Sequence, residues 1–520
     1  MRNHAFLVGL GIFLSRIAGL VRERVFAHFF GNSDAGDAFK AALKIPNFLQ
    51  NLLGEGVLSA SFIPVYAEML AKKHDEEAAR VASVIGSLMF LLTSILVVLG
   101  VWATPVLIDV IAPGFTGAKR DLTVQIVQIL FPGTGFAVLS AWCLGILNSH
   151  KKFFLSYVAP VIWNVSIIIA LVAWGSKQTQ FDLAITASWG LVVGSLLQFL
   201  VQLPSALRLA KKVRPSLAVR VAGVPTILKN FVPALFSRGV VQIVAYIDNM
   251  LASLLPTGAV SALAYAQTLY LLPISLFGMS VSAAELPAMS QATGSVEERN
   301  VYLRERLQKG LQQIAFFIVP SVLAFVFLGN FIVGALFQTG HFDEYSTQYV
   351  WYVLMGSAVG LFASTQGRLY SSTFYSLKDP RTPLKFAIVR VVLSTSLAIF
   401  MAFYLPGILG IESRWGAVGL TVSAGVAGWF EYALLKLALK KRIGKTELGL
   451  MFQTKIWLAG LIAATVAFAV GKWFVPSHLH IIIRAVVVLG IYGIVYFTCG
   501  ILFKIEQAST FLQKIKRRLG

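Results

Sequence analysis

The stretch Asp37-Ala-Phe-Lys-Ala-Ala-Leu-Lys-Ile-Pro-Asn-Phe-Leu-Gln-Asn-Leu-Leu-Gly-Glu-Gly56 decides how this chain is read. Asp37, Lys40, Lys44, Asn47, Asn51, Glu55 and then Ser59 recur at steps of three and four, which places them on one face of a helix. The sequence around it is strongly apolar. Of 520 residues, 57% are hydrophobic and only 13% charged, and the mean hydropathy is +0.76. A water-soluble domain carries roughly 25% charged residues, so this is a membrane protein with a charged helix at bilayer depth. Each charge facing lipid at the bilayer centre costs roughly 2.5–3.5 kcal/mol. The polar face therefore borders a hydrated cavity or a dry seam of mutually paired groups. Pro46 and Gly54-Glu-Gly56 interrupt the helix, and such breaks are tolerated at membrane depth mainly where they line a cavity, which favours the first reading.

Working outward, a spanning helix needs about 20 mostly apolar residues, and about fourteen segments qualify, from 4–30 and 36–70 through 258–290, 309–336 and 385–405 to 452–474 and 480–503. The fold class is an all-α integral membrane protein with short connections. Arg2 and the apolar run Phe6 to Leu14 look like a signal peptide, but Arg16 breaks the run and no small-x-small site follows, so an uncleaved first span is expected. Lys and Arg concentrate after even-numbered spans, as at Lys72, Lys73, Lys151, Lys152, Lys440 and Lys441, and in the C-terminal tail. Both termini are then cytoplasmic. Phe13-Leu-Ser-Arg16 is echoed by Leu235-Phe-Ser-Arg238, and Ser59-Ala60 with Pro64 by Ser282-Ala283 with Pro287. Six spans separate the copies, which predicts a parallel pseudo-repeat of two six-helix lobes, residues 1–220 and 221–445, followed by two more helices and a basic tail over 446–520.

The charges suggest what the lobes enclose. Arg16, Arg22, Glu23 and Arg24 lie on the first span, and Arg238 on the seventh. The cations Arg16, Arg22, Arg24, Arg238, Lys40 and Lys44 outnumber Asp37 and Glu55, and guanidinium forks suit phosphate or diphosphate oxygens. An anionic substrate follows. The net charge of +21 and pI near 10.0 fit basic loops on an anionic membrane face better than nucleic acid, which is not expected as a partner. Cys143 and Cys499, both in apolar runs, are too few for a disulfide framework or a zinc site. Gly444-Lys-Thr446 lacks the glycine five residues earlier, where Leu439 stands, so it is no phosphate-binding loop. The histidines form no metalloprotease motif, and Asp343-Glu344 after His341 reads as a solvated turn. No catalytic residue, metal or cofactor is expected, so the chain is not an enzyme. Asp248 is the acidic candidate for ion coupling, although a net positive cavity answering to membrane potential is the preferred driving force.

These motifs together resemble one family, the MurJ (MviN) lipid II flippases, within the superfamily that also holds multidrug and polysaccharide exporters. The likeness rests on Ser15-Arg-Ile-Ala-Gly-Leu-Val-Arg22, Gly36-Asp-Ala-Phe39, Lys44-Ile-Pro-Asn47, Glu55-Gly56, Phe62-Ile-Pro-Val65, Ala112-Pro-Gly-Phe115, Gly145-Ile-Leu-Asn148, Ala159-Pro160 with Asn164, and Asp379-Pro-Arg-Thr-Pro383. The resemblance implies transport of lipid II, the undecaprenyl-diphosphate-linked peptidoglycan precursor, from the inner to the outer leaflet of the bacterial cytoplasmic (inner) membrane. It also implies alternating access between the lobes and a groove for the lipid tail on spans 13 and 14. By the same resemblance Arg16, Arg22, Asp37, Asn47 and Glu55 match positions important for transport, and lipid II, membrane lipids and cell-wall synthesis proteins are the expected partners. Gln50 and Thr268 stand where well-known members carry arginines, which makes Arg238 the candidate replacement. The alternatives are a flippase for another polyprenyl-diphosphate oligosaccharide and, from another class, an enzyme acting on polyprenyl phosphates.

Overall fold

The computed structural model describes residues 2–210, 213–292, 294–476 and 478–519. Among them there is no strand, only an isolated bridge between Thr339 and Phe342. Helix occupies every predicted span, and among the described residues ten helical stretches are long and apolar enough to cross a membrane. The residues group into two compact units, 1–261 with 339–342, and 262–338 with 343–520.

The first unit holds α1 (Arg2–Phe30), α2 (Asp34–Ala42), α3 (Lys44–Leu53), α4 (Glu55–Ala71), α5 (Asp75–Ile111), α6 (Gly117–Ser149), α7 (Phe153–Trp174), α8 (Gln180–Ala210) and α9 (Val224–Ser253). Its core between α4, α5 and α6 is built on Phe62, Tyr66, Val81, Ile85 and Trp142, all buried. The Trp142 indole N–H donates to the carbonyl of Ala82 at 3.1 Å, so the largest side chain there satisfies its one polar atom. Residues 339–342 join this unit through the end of α1. The His341 amide donates to the His28 carbonyl at 2.8 Å, and His28 Nδ1 lies 2.8 Å from the Thr339 hydroxyl. Gly31 and Gly340 both take φ of +54°, and a Cβ on either would strike the facing backbone at His341 or His28. Only glycine fits this approach.

The second unit holds α10 (Ala259–Pro273) apart from its first turn, 259–261, which belongs to the first unit, then α11 (Ser280–Ser290), α12 (Val296–Phe327), α13 (Gly329–Phe337), α14 (Glu344–Ser376), α15 (Arg381–Ile399), α16 (Leu405–Leu409), α17 (Gly416–Ile443), α18 (Leu450–Trp473), α19 (Ile481–Leu502) and α20 (Glu506–Leu519). Several predicted continuous spans are segmented. A π-helical turn at Ile274–Met279 separates α10 from α11, and another at Phe400–Tyr404 precedes Pro406. The predicted 309–336 span breaks between α12 and α13. The basic tail, read from sequence as a tail, ends in α20. On α19, the buried Tyr492 and Tyr496 donate to the carbonyls of Pro320 and Phe316 on α12 at 2.7 and 2.6 Å.

The second predicted span, 36–70, is corrected most. It is three helices, broken at Leu43 and at Gly54. Gly54 breaks it as expected. The other break falls three residues before Pro46, because proline is tolerated in the first turn, where amide hydrogens have no intrahelical partner. Pro46 thus lies in the first turn of α3 rather than kinking a longer helix.

Four helices, α4, α6, α14 and α19, share an ending. Lys73, Lys151, Lys378 and Lys504 follow their C-caps with φ of 58°, 60°, 59° and 54°. In each, the next amide reaches back to close the last turn: His74 to Met69 at 3.0 Å, Lys152 to Leu147 at 2.8 Å, Asp379 to Phe374 at 3.0 Å and Ile505 to Gly500 at 2.9 Å. This is the Schellman geometry, whose left-handed position usually belongs to glycine. These lysines are the non-glycine residues with positive φ among those described, and all follow even-numbered predicted spans.

Candidate functional site

The predicted polar face of span two does not survive as one surface: its part on α2 is buried, and its part on α3 is open. Its first part is buried and fully engaged. Asp37 on α2 is 1% exposed. Its Oδ1 accepts from the Ser261 amide at 2.7 Å, and Oδ2 accepts from the Gly258 amide and from Lys119 Nζ, both at 2.8 Å. The carboxylate therefore caps the start of α10, where it meets unpaired amides and the positive end of the helix dipole. Lys119 also reaches Asp34 at 2.9 Å. Asp37 stands in this structure as a capping residue.

Beside it, Glu23 of α1 lies between two cations. Lys40 Nζ donates to Oε2 at 2.5 Å and Arg22 to Oε1 at 2.6 Å. Arg22 also donates to Asn164 Oδ1 on α7 at 3.1 Å, and its guanidinium lies 4.7 Å from the centre of the Trp163 ring. The Lys40 ammonium sits 4.3 Å over Phe26, which stacks on Phe30. The side chains of Glu23 and Lys40 are 8% and 7% exposed, that of Arg22 20%. Two cations on one carboxylate leave the cluster with net positive charge at the edge of a packed core. Arg24 is half-buried, with an interaction of its own. Arg16 is exposed on α1 and has no ion-pair partner among the described residues.

The second part of the predicted face is open. Asn47, Gln50 and Asn51 on α3 and Ser59 on α4 are exposed, whereas Ile45, Pro46 and Leu53 on α3 are buried. Lys44 is half-buried. Its carbonyl accepts from the Tyr246 hydroxyl on α9 at 2.5 Å, Phe48 meets the Tyr246 ring edge-on, and Asp248 acts as a countercharge to the ammonium. Thr268 turns its hydroxyl to the Ala264 carbonyl at 3.0 Å. The side chains of Glu55 and Arg238 lie outside the described residues.

Sequence reasoning missed Lys119 and did not give Trp163 and Asn164 their roles as supports of Arg22. Lys119 follows a loop and carries no periodic signal, and only folding brings α7 beside α1. The Asn164 motif position was visible without its partner.

A helical bundle with ten stretches long and apolar enough to cross a membrane among the described residues, buried charges and an open polar face is the build of a multi-pass membrane transporter. A multidrug resistance MATE family transporter of the MOP superfamily, solved in an inward-facing conformation, shares the fold. Its TM-score is 0.64 at 17% identity, with 81% of this chain and 96% of that one covered. The match to one family is nearer. The model described as lipid II flippase MurJ matches residues 26–487. The chain is 33% identical over 441 residues to the lipid II flippase MurJ of Burkholderia cenocepacia, covering 82% of each. It is 31% identical over 466 residues to the probable lipid II flippase MurJ of Vibrio cholerae, covering 86% of this chain and 85% of that protein. A solved structure of lipid II flippase MurJ, in an inward closed conformation, superposes with a TM-score of 0.78 at 26% identity, covering 96% of this chain and 99% of that one. The chain belongs to the MurJ family of lipid II flippases.

Proposed function

We propose that this chain moves lipid II from the inner to the outer leaflet of the bacterial cytoplasmic membrane by alternating access, without chemical change to the lipid. The observation that carries this reading is the family match over residues 26–487. The geometry of the first unit supports it. Asn47, Gln50, Asn51 and Ser59 would each lose hydration if they faced lipid, so their open face borders water. Along that face a glycan–peptide headgroup exchanges water for protein hydrogen bonds, while the polyprenyl tail stays in lipid. Arg16 and the positive Arg22 cluster supply guanidinium donors for the diphosphate. Lobes 1–220 and 221–445 are the moving halves in this reading, spans 13 and 14 within 446–520 hold the tail, and fourteen crossings leave both termini cytoplasmic. Coupling is assigned to membrane potential acting on the net positive cavity rather than to a cation at Asp248, because the eleventh span offers no carboxylate from Phe386 to Tyr404 to complete a cation site.

The test is transfer of labelled lipid II across proteoliposomes holding the purified chain, alongside an O-antigen-type polyprenyl diphosphate. Lipid II should reach the opposite leaflet unaltered, and Arg16→Ala should slow it while the protein still accumulates. Faster movement of the other lipid would reassign the substrate, and covalent turnover would identify an enzyme.

A further inference from the structure

A cavity of about 630 Å³ opens at the turn between α6 and α7, against the last turn of α8. Its wall has two chemistries. Phe153, Phe154 and Leu209 form an apolar side, Lys151, Lys152 and Arg208 a cationic one, and no carboxylate lines it. The three cations are exposed, and none forms an ion pair among the described residues. Some cations at other helix ends have acidic partners: Lys72 pairs with Glu68, Arg120 with Asp109, and Arg442 with Asp379. His150, also on the wall, lies 3.1 Å from the Tyr66 hydroxyl. Burial lowers the proton affinity of its ring, which leaves the positive charge to the other three.

Two features of the backbone add to the charge. Helix α7 begins after Lys152, which offers no side-chain cap, so the positive end of the helix dipole lies beside the cations. Lys151 holds the left-handed position of the α6 ending, where glycine is ordinary. Its ammonium is kept at this spot against a backbone preference.

We propose that this cavity binds the headgroup of an anionic phospholipid. The phosphodiester sits among Lys151, Lys152 and Arg208, and the first acyl methylenes lie along Phe153, Phe154 and Leu209. A soluble phosphate offers the same anionic oxygens but leaves the rings uncovered. A zwitterionic lipid covers the rings but brings its own cation toward the three present. The cavity lies at the ends of predicted spans four and six, the side marked by the basic loops, where basic pockets between transmembrane helices face anionic lipid. None of the residues assigned to the diphosphate lines this cavity, and the proposal does not depend on the identity of the transported lipid.

The experiment uses the full chain in neutral detergent, without transport substrate, titrated with phosphatidylglycerol, with phosphatidylcholine of the same acyl chains, or with sodium phosphate. Bound lipid is counted by native mass spectrometry, and protection is followed by thermal unfolding. Phosphatidylglycerol should be retained and should raise the unfolding temperature, and the other two should do neither. Lys151→Gly and Arg208→Gln should each weaken retention about fivefold. Lys151→Gly relieves a left-handed residue, so the variant is expected to fold. Lys73→Gly, at an equivalent helix ending away from the cavity, should leave retention unchanged. Undiminished binding when Lys151→Gly and Arg208→Gln are combined, equal retention of phosphatidylcholine, protection by phosphate alone, or an equal loss in Lys73→Gly would each overturn the proposal.

Discussion

Glu23 is an acid whose value depends on both of its neighbours. With Lys40 and Arg22 at 2.5 and 2.6 Å, removing the carboxylate leaves a buried ammonium uncompensated. Breaking a buried pair from one side costs about 3–5 kcal/mol, whereas replacing both members with apolar groups is often near neutral. Glu23→Gln should therefore lower the unfolding temperature in detergent sharply, and Glu23→Gln combined with Lys40→Met should recover most of the loss. A double variant no better than the single one would show that the pair is not the reason for the loss. The sequence displayed these charges as a list on spans one and two. It did not show which charges meet, because pairing depends on side chains about 17 positions apart converging where α1 and α2 pack.

Helix endings are the element at which sequence and structure explain each other most directly. A left-handed residue other than glycine costs roughly 1–2 kcal/mol, and four lysines occupy that position. Lys73→Gly should raise stability in detergent by about 1 kcal/mol, measured by chemical or thermal unfolding. A fall in stability would mean that the lysine side chain stabilises the ending by more than its backbone costs. The Asp379-Pro-Arg-Thr-Pro383 motif is likewise an element boundary. Asp379 accepts from the Thr382 hydroxyl at 2.7 Å and amide at 3.2 Å at the start of α15, and from Arg442 at the end of α17 at 2.8 Å. The Thr382 hydroxyl first, and then its amide and the Arg442 charge, hold the carboxyl below the ordinary aspartate range. Because the folded value is depressed, the contribution is present above the unfolded value of about 3.9 and is lost as pH falls through and below it. Stability measured from about pH 5 to pH 3 should fall less steeply in Asp379→Asn than in the parent. Identical slopes would remove Asp379 from the acid response.

For the whole molecule, the basic-loop asymmetry makes a topological prediction. Reporter fusions after Lys73 and Lys441 should read cytoplasmic, and fusions near Gly31 and Asp343 external; the reverse at either pair would end the fourteen-span reading. The driving force is tested at the same scale. One charge moved through the field is worth about 2.3 kcal/mol per 100 mV, enough to shift a two-state equilibrium roughly fifty-fold. A single cysteine at Asn47, in a chain with Cys143 and Cys499 replaced, should change its labelling rate in liposomes with imposed potential. The rate should not change with a sodium gradient at zero potential. Labelling that follows sodium and ignores potential would reject the proposed coupling.

The residues by themselves determined that the chain is a helical membrane protein, that its second span is charged and interrupted, and which family it resembles. Composition, apolar run length and short motifs are local properties, so they survive translation into a string. The sequence also carried the opposition on α3 between Asn47, Gln50 and Asn51 and the apolar Ile45 and Leu53. Only tertiary structure decided that Asp37 caps α10, that Glu23 lies between Arg22 and Lys40, and that Trp163 and Asn164 support Arg22. It also decided that the predicted face divides into a buried half and an open half. Partners distant in sequence leave no periodicity to read. Their meeting depends on how helices pack, which no single stretch of the chain encodes.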